Sequence, residues 1–564
     1  MANKTLFDHY YVYQELTDML EKLSNSYPGY MNYYSLGKTE KGRDVWAVEI
    51  TNTKTGDFSS KPAYYIDGNH HAGEVTGSMA SLNAIDSLLT GSEDNEQIKY
   101  LLDNYTFYII PRVSPDGAEV YLTTPEHLRS VDRPYPYCDV EPGLQAKDMN
   151  GDGIIAQMRV PSPQGAWKVS ELDSRLMVKR SPDEKGGQYY HVFQEGYIVD
   201  YDGLDIKVGE NKWGRDFNRN YPNCWFPEYR QPGAGNYPLE NPENKMVADF
   251  IINHPNIGSA VTNHTSGGVF VYPPGTKPEK EAAQRDISMF KAIGKMATEE
   301  TGYVCVNIYD EFLKDAVNFS SGALDDWMYG HRGIPAYTSE LWNLAIRSGV
   351  ENVWPRKEKD QETEENDYLK MIKWVDENLD GKGYLPYEPF NHPQLGLVDI
   401  GGFDIKFVYQ NCPPAYLQQE LDKVTNFYLR HAMCLPKVEV KKAEAIKVDS
   451  ETWHLTLELV NDGYLPTFLT QEGLNVKVDK TIKVFLSLPN EAELVYGDKS
   501  KDIGHLEGRA GIKSGYFFGN IRTSTSQAMT KRIEWVVKGK PNQAVTVEVN
   551  SPTGGKFSVD FSLE

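Results

Sequence analysis

The junction at which an apolar run gives way to His71-Ala72-Gly73-Glu74 constrains this chain more than any other feature. Ala63-Tyr64-Tyr65-Ile66 reads as a buried strand and Gly68-Asn69-His70 as the turn beyond it. Met79, Leu82, Ile85 and Leu89 then recur at helical spacing. A strand, a polar turn and a helix in that order form one step of an α/β layer. The turn falls at the C-terminal end of the strand, where open α/β sheets gather their sites.

His71 and Glu74, with His264 and Glu340 far downstream, make chemical sense as a set. Two imidazoles and one carboxylate can hold a Zn²⁺ on three sides and leave a fourth position for water. That donor choice belongs to catalytic rather than structural zinc. A second carboxylate must then take the water's proton, and Glu340 ends the apolar run that starts at Ala336.

Further strands are expected at Thr106–Ile110, Ala260–Thr262, Val269–Tyr272 and Ala336–Glu340. Helices are expected at Ser78–Leu89, Pro242–Ile252, Glu281–Glu300 and from Pro414 onward. Strands alternating with helices predict an α/β/α domain with a mixed sheet. Residues 130–213, rich in Pro, Gly, Asp and Tyr with little periodicity, read as a long irregular insertion over one face. The charge-dense stretch 357–367 reads as a solvated helix start. Beyond residue 436 the texture changes to short alternating strands at 453–460, 482–488, 532–537, 544–549 and 557–563. Asn461-Asp462-Gly463 and Thr553-Gly554-Gly555 punctuate them as turns. The expected organisation is a catalytic domain over 1–436 and a smaller all-β sandwich over 437–564.

At 564 residues the chain exceeds what one core usually supports. Its net charge of −22 argues against nucleic acid or an anionic membrane as partner. No stretch approaches the roughly 18 apolar residues of a membrane span. Five scattered cysteines without a CxxC pair exclude a zinc ribbon and leave at least one thiol unpaired. Met1-Ala2-Asn3-Lys4-Thr5 carries no apolar signal core, so two compartments stay open: the cytoplasm, or an extracellular or periplasmic setting reached through a leader already removed.

Several motifs in order resemble the zinc carboxypeptidase family typified by carboxypeptidase A: Gly42-Arg43-Asp44, the HxxE at 71–74, Ser114-Pro115-Asp116-Gly117, Asn218-Arg219-Asn220, His264-Thr265-Ser266, Ser321-Gly322 with Asp326-Trp327, and Ser339-Glu340-Leu341. The resemblance covers most of residues 8–435, the insertion excepted. It implies one zinc per chain on His71, Glu74 and His264, with Glu340 as general base. It also implies Arg129, or less well Arg133, beside the oxyanion, and Asn218 with Arg219 on the free carboxylate at a peptide's C-terminus. A guanidinium fork suits that anion because it donates two parallel hydrogen bonds. The implied activity is hydrolysis of the C-terminal peptide bond. Cleavage of an amide in cell-wall peptides, where relatives also act, is the alternative. An inactive binding protein is a third reading, against which the presence of all four residues speaks.

Three positions set this chain apart. Asn318 stands where many members have a mobile tyrosine. Asp325 falls where members that prefer Lys or Arg place a selecting carboxylate; its other reading is a cap on the following helix. Asp148, Asn150 and Asp152 resemble half of a calcium-binding EF-hand loop. Arg159 occupies the twelfth position, where a Glu is needed, so an Asx-rich turn is the competing reading.

Overall fold

The structure, a computed structural model, describes residues 4–137, 139–313, 319–512, 514–517, 519–523 and 528–564. Its centre is an eight-stranded mixed sheet. In spatial order the strands are Met31–Lys38, Asp44–Ile50, Thr106–Ile110, Ala63–Gly68, Ile257–Thr265, Ala336–Leu341, Val269–Tyr272 and Val304–Asn307. The four middle strands, from Thr106–Ile110 to Ala336–Leu341, run parallel.

Alternation along Ala63–Ile66 shows why helices cover both faces. Tyr64 and Ile66 join one buried cluster, with side chains of the helices Tyr13–Ser26, Val75–Thr90, Gln284–Thr301 and Pro414–Ala432. Ala63 and Tyr65 join another, with the helices Pro242–Asn253 and Leu324–Arg332. Period-two residues of one strand thus feed two cores, and the layers are α/β/α. The helix Val75–Thr90 is buried from Val75 to Leu89, as an apolar helix in the middle of a large core should be.

The insertion is not irregular. It holds short strands at Gly143–Ala146, Gln157–Pro161, Trp167–Val169, Met177–Lys179, Tyr190–Gln194 and Gly196–Val199. Four of them complete a six-stranded sheet with the hairpin Tyr384–His392 and Gly396–Phe403. Met158, Val160, Val398 and Ile400 pack in the core of this sheet. Strands of three to five residues carry too little alternation to read, and the partner that ties them to the hairpin, Gly396–Phe403 beside Gln157–Pro161, lies far along the chain.

After Val438 every sheet is antiparallel. One has the order Val438–Lys447, Thr452–Asn461, Thr530–Lys538, Glu493–Tyr496; a second has Ser500–Gly504, Ile482–Ser487, Ala544–Ser551, Gly555–Ser562; a third is the hairpin Ser514–Phe517 and Asn520–Thr523. Trp453 and Trp535 from the first face Val484 and Val547 from the second in one core, the arrangement of a β-sandwich. Asp286 touches this region: its carboxylate accepts from Gln471 N at 2.7 Å and Glu472 N at 3.0 Å. Among the described residues no helix is long and apolar enough to cross a membrane. Cys224, Cys305, Cys412 and Cys434 are free thiols, and Cys138 lies outside the described residues.

Candidate active site

Strand register assembles the centre. In the parallel pair Ile257–Thr265 and Ala336–Leu341, His264 lies directly beside Glu340. On the other side Asn263 lies beside Gly68, which starts the turn carrying His71. The helix that follows crosses so closely that a Cβ on Gly77 would stand 2.6 Å from the carbonyl oxygen of Asn263. Only glycine leaves room for that approach.

His71, Glu74 and His264 are buried and converge. His71 Nδ1 is 2.8 Å from Glu74 Oε1, His264 Nδ1 is 2.7 Å from Glu74 Oε2, and the two Nδ1 atoms are 3.0 Å apart. Hydrogen bonds alone do not satisfy these three contacts together: with both Nδ1 atoms protonated the two N–H groups oppose each other, and with one bare its lone pair faces a carboxylate oxygen. The far side of His71 is engaged: Nε2 is 3.0 Å from Asp216 Oδ1. A proton held on Nε2 leaves the Nδ1 lone pair for a cation, which is how a carboxylate orients a ligating histidine. Two neutral imidazoles and a carboxylate fit zinc. Against the penalty of burial, His71 and His264 hold Glu74 well below the usual carboxylate range.

Asp216 escaped the reading of the sequence. It also accepts from Arg129 Nε at 3.0 Å, while Arg129 Nη1 reaches Glu74 Oε1 at 3.4 Å. Against the penalty of burial, Arg129 and His71 hold the Asp216 carboxyl well below its ordinary value. Its signal was present in Arg215-Asp216-Phe217-Asn218: an acid two residues before the Asn-Arg pair. Arg129 is tied to the ligand turn by its backbone too, its carbonyl accepting from Ala72 N at 2.8 Å. Arg133 is placed elsewhere, its fork closed on Glu243 at 3.0 and 2.9 Å. Arg43 and Asp116, from two of the motifs, bond to each other at 3.0 Å and buttress this corner.

Glu340 is partly shielded beside His264. Burial, with the charge of Glu74 next, pushes its carboxyl up to about 8. Asn218 Nδ2 approaches His264 Nε2 at 3.4 Å, and its Oδ1 accepts from Leu324 N at 2.9 Å. Arg219 donates to the Asn218 carbonyl at 2.7 Å. Asp325 is buried in the first turn of Leu324–Arg332, and its Oδ2 accepts from Thr338 Oγ1 at 2.8 Å. Thr338 and Glu340 share a strand face, being two residues apart. Asp325 does not cap that helix, whose N-cap is Ala323.

Among the described residues, only the set of His71, Glu74 and His264 brings three potential metal-ligating groups of His, Cys, Asp or Glu together. In the 148–153 loop, Asp148 accepts from Gly151 N and Gly153 N, and Asp152 accepts from Ile154 N, as in Asx turns. Asn318 lies outside the described residues.

A family model described as zinc carboxypeptidase matches residues 16–366, and one for a domain of unknown function (DUF8731) matches residues 437–562. Zinc carboxypeptidase A 1 of Drosophila melanogaster is 35% identical over 130 residues, 22% of this chain and 30% of its own length. Carboxypeptidase D of Homo sapiens is 28% identical over 243 residues, 41% of this chain and 17% of its own. The chain thus spans less than a third of either curated relative. The crystal structure of thrombin activatable fibrinolysis inhibitor (TAFI) superimposes with a TM-score of 0.43 at 16% identity, covering 76% of this chain and 74% of that one. Since the zinc carboxypeptidase model runs through more than half of the sequence, and through the strands that gather His71, Glu74 and His264, this chain belongs to the zinc carboxypeptidase family.

Proposed function

We propose that the protein is a zinc-dependent carboxypeptidase that hydrolyses the C-terminal peptide bond of peptides with a free carboxylate, its catalytic unit being residues 1–436 and its accessory sandwich 437–564. The observation that carries this reading is the convergence of His71, Glu74 and His264 with Glu340 as the register neighbour of His264. When bound by that triad, zinc supplies Lewis acidity, polarising a carbonyl and making a water easier to deprotonate. Glu340 accepts the water's proton and hands it to the leaving amine. Arg129, held by Asp216, presents its guanidinium to the oxyanion. Asn218 and Arg219 take the terminal carboxylate, beside the start of Leu324–Arg332.

Asp325 supports a preference for a C-terminal Lys or Arg. It is joined to Thr338 on the strand face that carries Glu340, and burial raises its carboxyl above the usual range. A cation entering there would restore its charge and bind by charge pairing. The test is a set of peptides ending in Lys, Phe or Asp, each with a free or amidated C-terminus. The expected result is cleavage of free acids alone, fastest after Lys. Indifference to amidation would favour the cell-wall amidase alternative, and equal rates for the three residues would remove the role of Asp325.

A further inference from the structure

The helix that leads away from the turn of His71 and Glu74 begins without a cap of its own. Val75–Thr90 has Glu74 at its N-cap, and the Glu74 carboxylate makes no bond to the first turn. Its oxygens face imidazoles instead, Oε1 at His71 and Oε2 at His264. A helix leaves its first N–H groups without partners, and a side-chain oxygen at the N-cap ordinarily takes one of them. Here the acceptor comes from 335 residues along the chain: Asn411 Oδ1 accepts from Thr76 N at 3.0 Å and from the Thr76 hydroxyl at 3.0 Å.

We propose that Asn411 is a positioning residue of the zinc centre, capping this helix in place of Glu74 and so leaving the Glu74 carboxylate free to face the ion. This rests on the zinc carboxypeptidase reading. It adds a residue that the family's motifs do not contain, since Asn411 lies far past the last of them, Ser339-Glu340-Leu341.

The other end of the same amide holds the turn. Asn411 Nδ2 donates to the Gly73 carbonyl at 2.6 Å and to the Lys406 carbonyl at 3.0 Å. Two donors and two acceptors exhaust what a carboxamide offers, and the N–H of Thr76 fixes which end is which. Asn411 is fully buried, so a bond lost there is not made good by bulk water. Gly73 precedes Glu74 and Thr76 follows it by two residues, so one side chain grips the backbone on both sides of that carboxylate.

Asn411 is itself held. It follows a π-helical turn, Ile405–Gln410, which Asp404 caps by accepting from Lys406 N at 3.0 Å and Phe407 N at 3.2 Å. The Trp342 indole donates to the Val408 carbonyl at 2.9 Å. Lys406 Nζ donates to the Tyr121 and Thr124 carbonyls at 2.8 and 2.7 Å. A Cβ on Gly73 would stand 2.9 Å from the Tyr121 ring and 3.0 Å from Gln410 Nε2, so this segment closes directly on the turn. A ligand whose backbone is pinned beforehand loses less freedom when the metal arrives, and affinity rises accordingly.

The test measures zinc affinity by competition with a chelator for the wild type, Asn411→Ala and Asp286→Ala, with folding checked by circular dichroism. Asp286→Ala is the comparison for a general loss of stability, since that carboxylate lies at the contact with the β-sandwich region. Asn411→Ala is expected to bind zinc about tenfold more weakly. Its cobalt-loaded form is expected to show a visible absorption band of altered position or intensity. Asp286→Ala is expected to match the wild type in both. Unchanged affinity and an unchanged cobalt band in Asn411→Ala overturn the proposal, and so does an equal fall in Asp286→Ala. Should Asn411→Ala fail to fold, Asn411→Ser, too short to span Gly73 and Thr76, is judged by the same two measurements. A wild type that holds no zinc tightly overturns the carboxypeptidase reading and this role with it. Tight binding shared by all the variants overturns the role alone.

Discussion

Asp216 holds His71 with one oxygen and Arg129 with the other, so one carboxylate sets both an imidazole's tautomer and a cation's position. Asp216→Ala is expected to weaken zinc binding by about 10–100-fold, measured by competition with a chelator. On the proposed mechanism, Glu340→Gln is expected to keep zinc by elemental analysis yet to lose about 10²–10⁴-fold in kcat, the proton then having no acceptor. The same residue has a signature in zinc-free protein. There Glu340 keeps its proton up to about pH 8, against 4.5 for the ordinary group. Between those values the folded state binds one proton more than the unfolded chain. The stability this group contributes is therefore complete below 4.5 and is lost as the pH rises to about 8. Melting of zinc-free protein should show Glu340→Gln gaining on the wild type from pH 5 to 8; a constant difference would place the carboxyl elsewhere.

At the scale of elements, the centre depends on how tightly the helix Val75–Thr90 lies on the strand beside it. Gly77→Val drives a side chain into the Asn263 carbonyl, and a loss of about 1–3 kcal/mol in urea unfolding is expected, with zinc affinity falling in parallel. The strands that frame this contact were legible because burial on both faces makes them continuous apolar runs. Thr106–Ile110 and Val269–Tyr272 have the bounds read from their residues. Val438–Lys447 escaped notice because only Val438 is buried along its length, which leaves little apolar pattern. Tyr384–His392 is buried only at its two ends. The converging His71, Glu74 and His264 were legible as candidates through residue type and order. Asp216 was not, since an acid in a polar turn looks like any other until its partners arrive from residues 71 and 129.

At the scale of the whole molecule, the α/β core meets the chain beyond residue 437 through apolar contacts of Leu465 and Leu469 and through specific polar ones. Asp286 takes two backbone N–H groups and the Tyr329 hydroxyl, and Arg285 pairs with Glu507. Asp286→Ala strands those donors, at a cost of about 1–3 kcal/mol. Limited proteolysis should then cut near residues 435–442 sooner than in the wild type, while Asp286→Asn keeps part of the protection. A second consequence of the architecture concerns timing. His264 and Glu340 stand abreast on neighbouring strands, and a slip of either strand by one residue turns its side chain to the opposite face of the sheet, away from the other. A misaligned chain therefore lacks the His71, Glu74, His264 and Glu340 centre outright rather than holding a loosened one, and the convergence arrives all at once with the correct alignment.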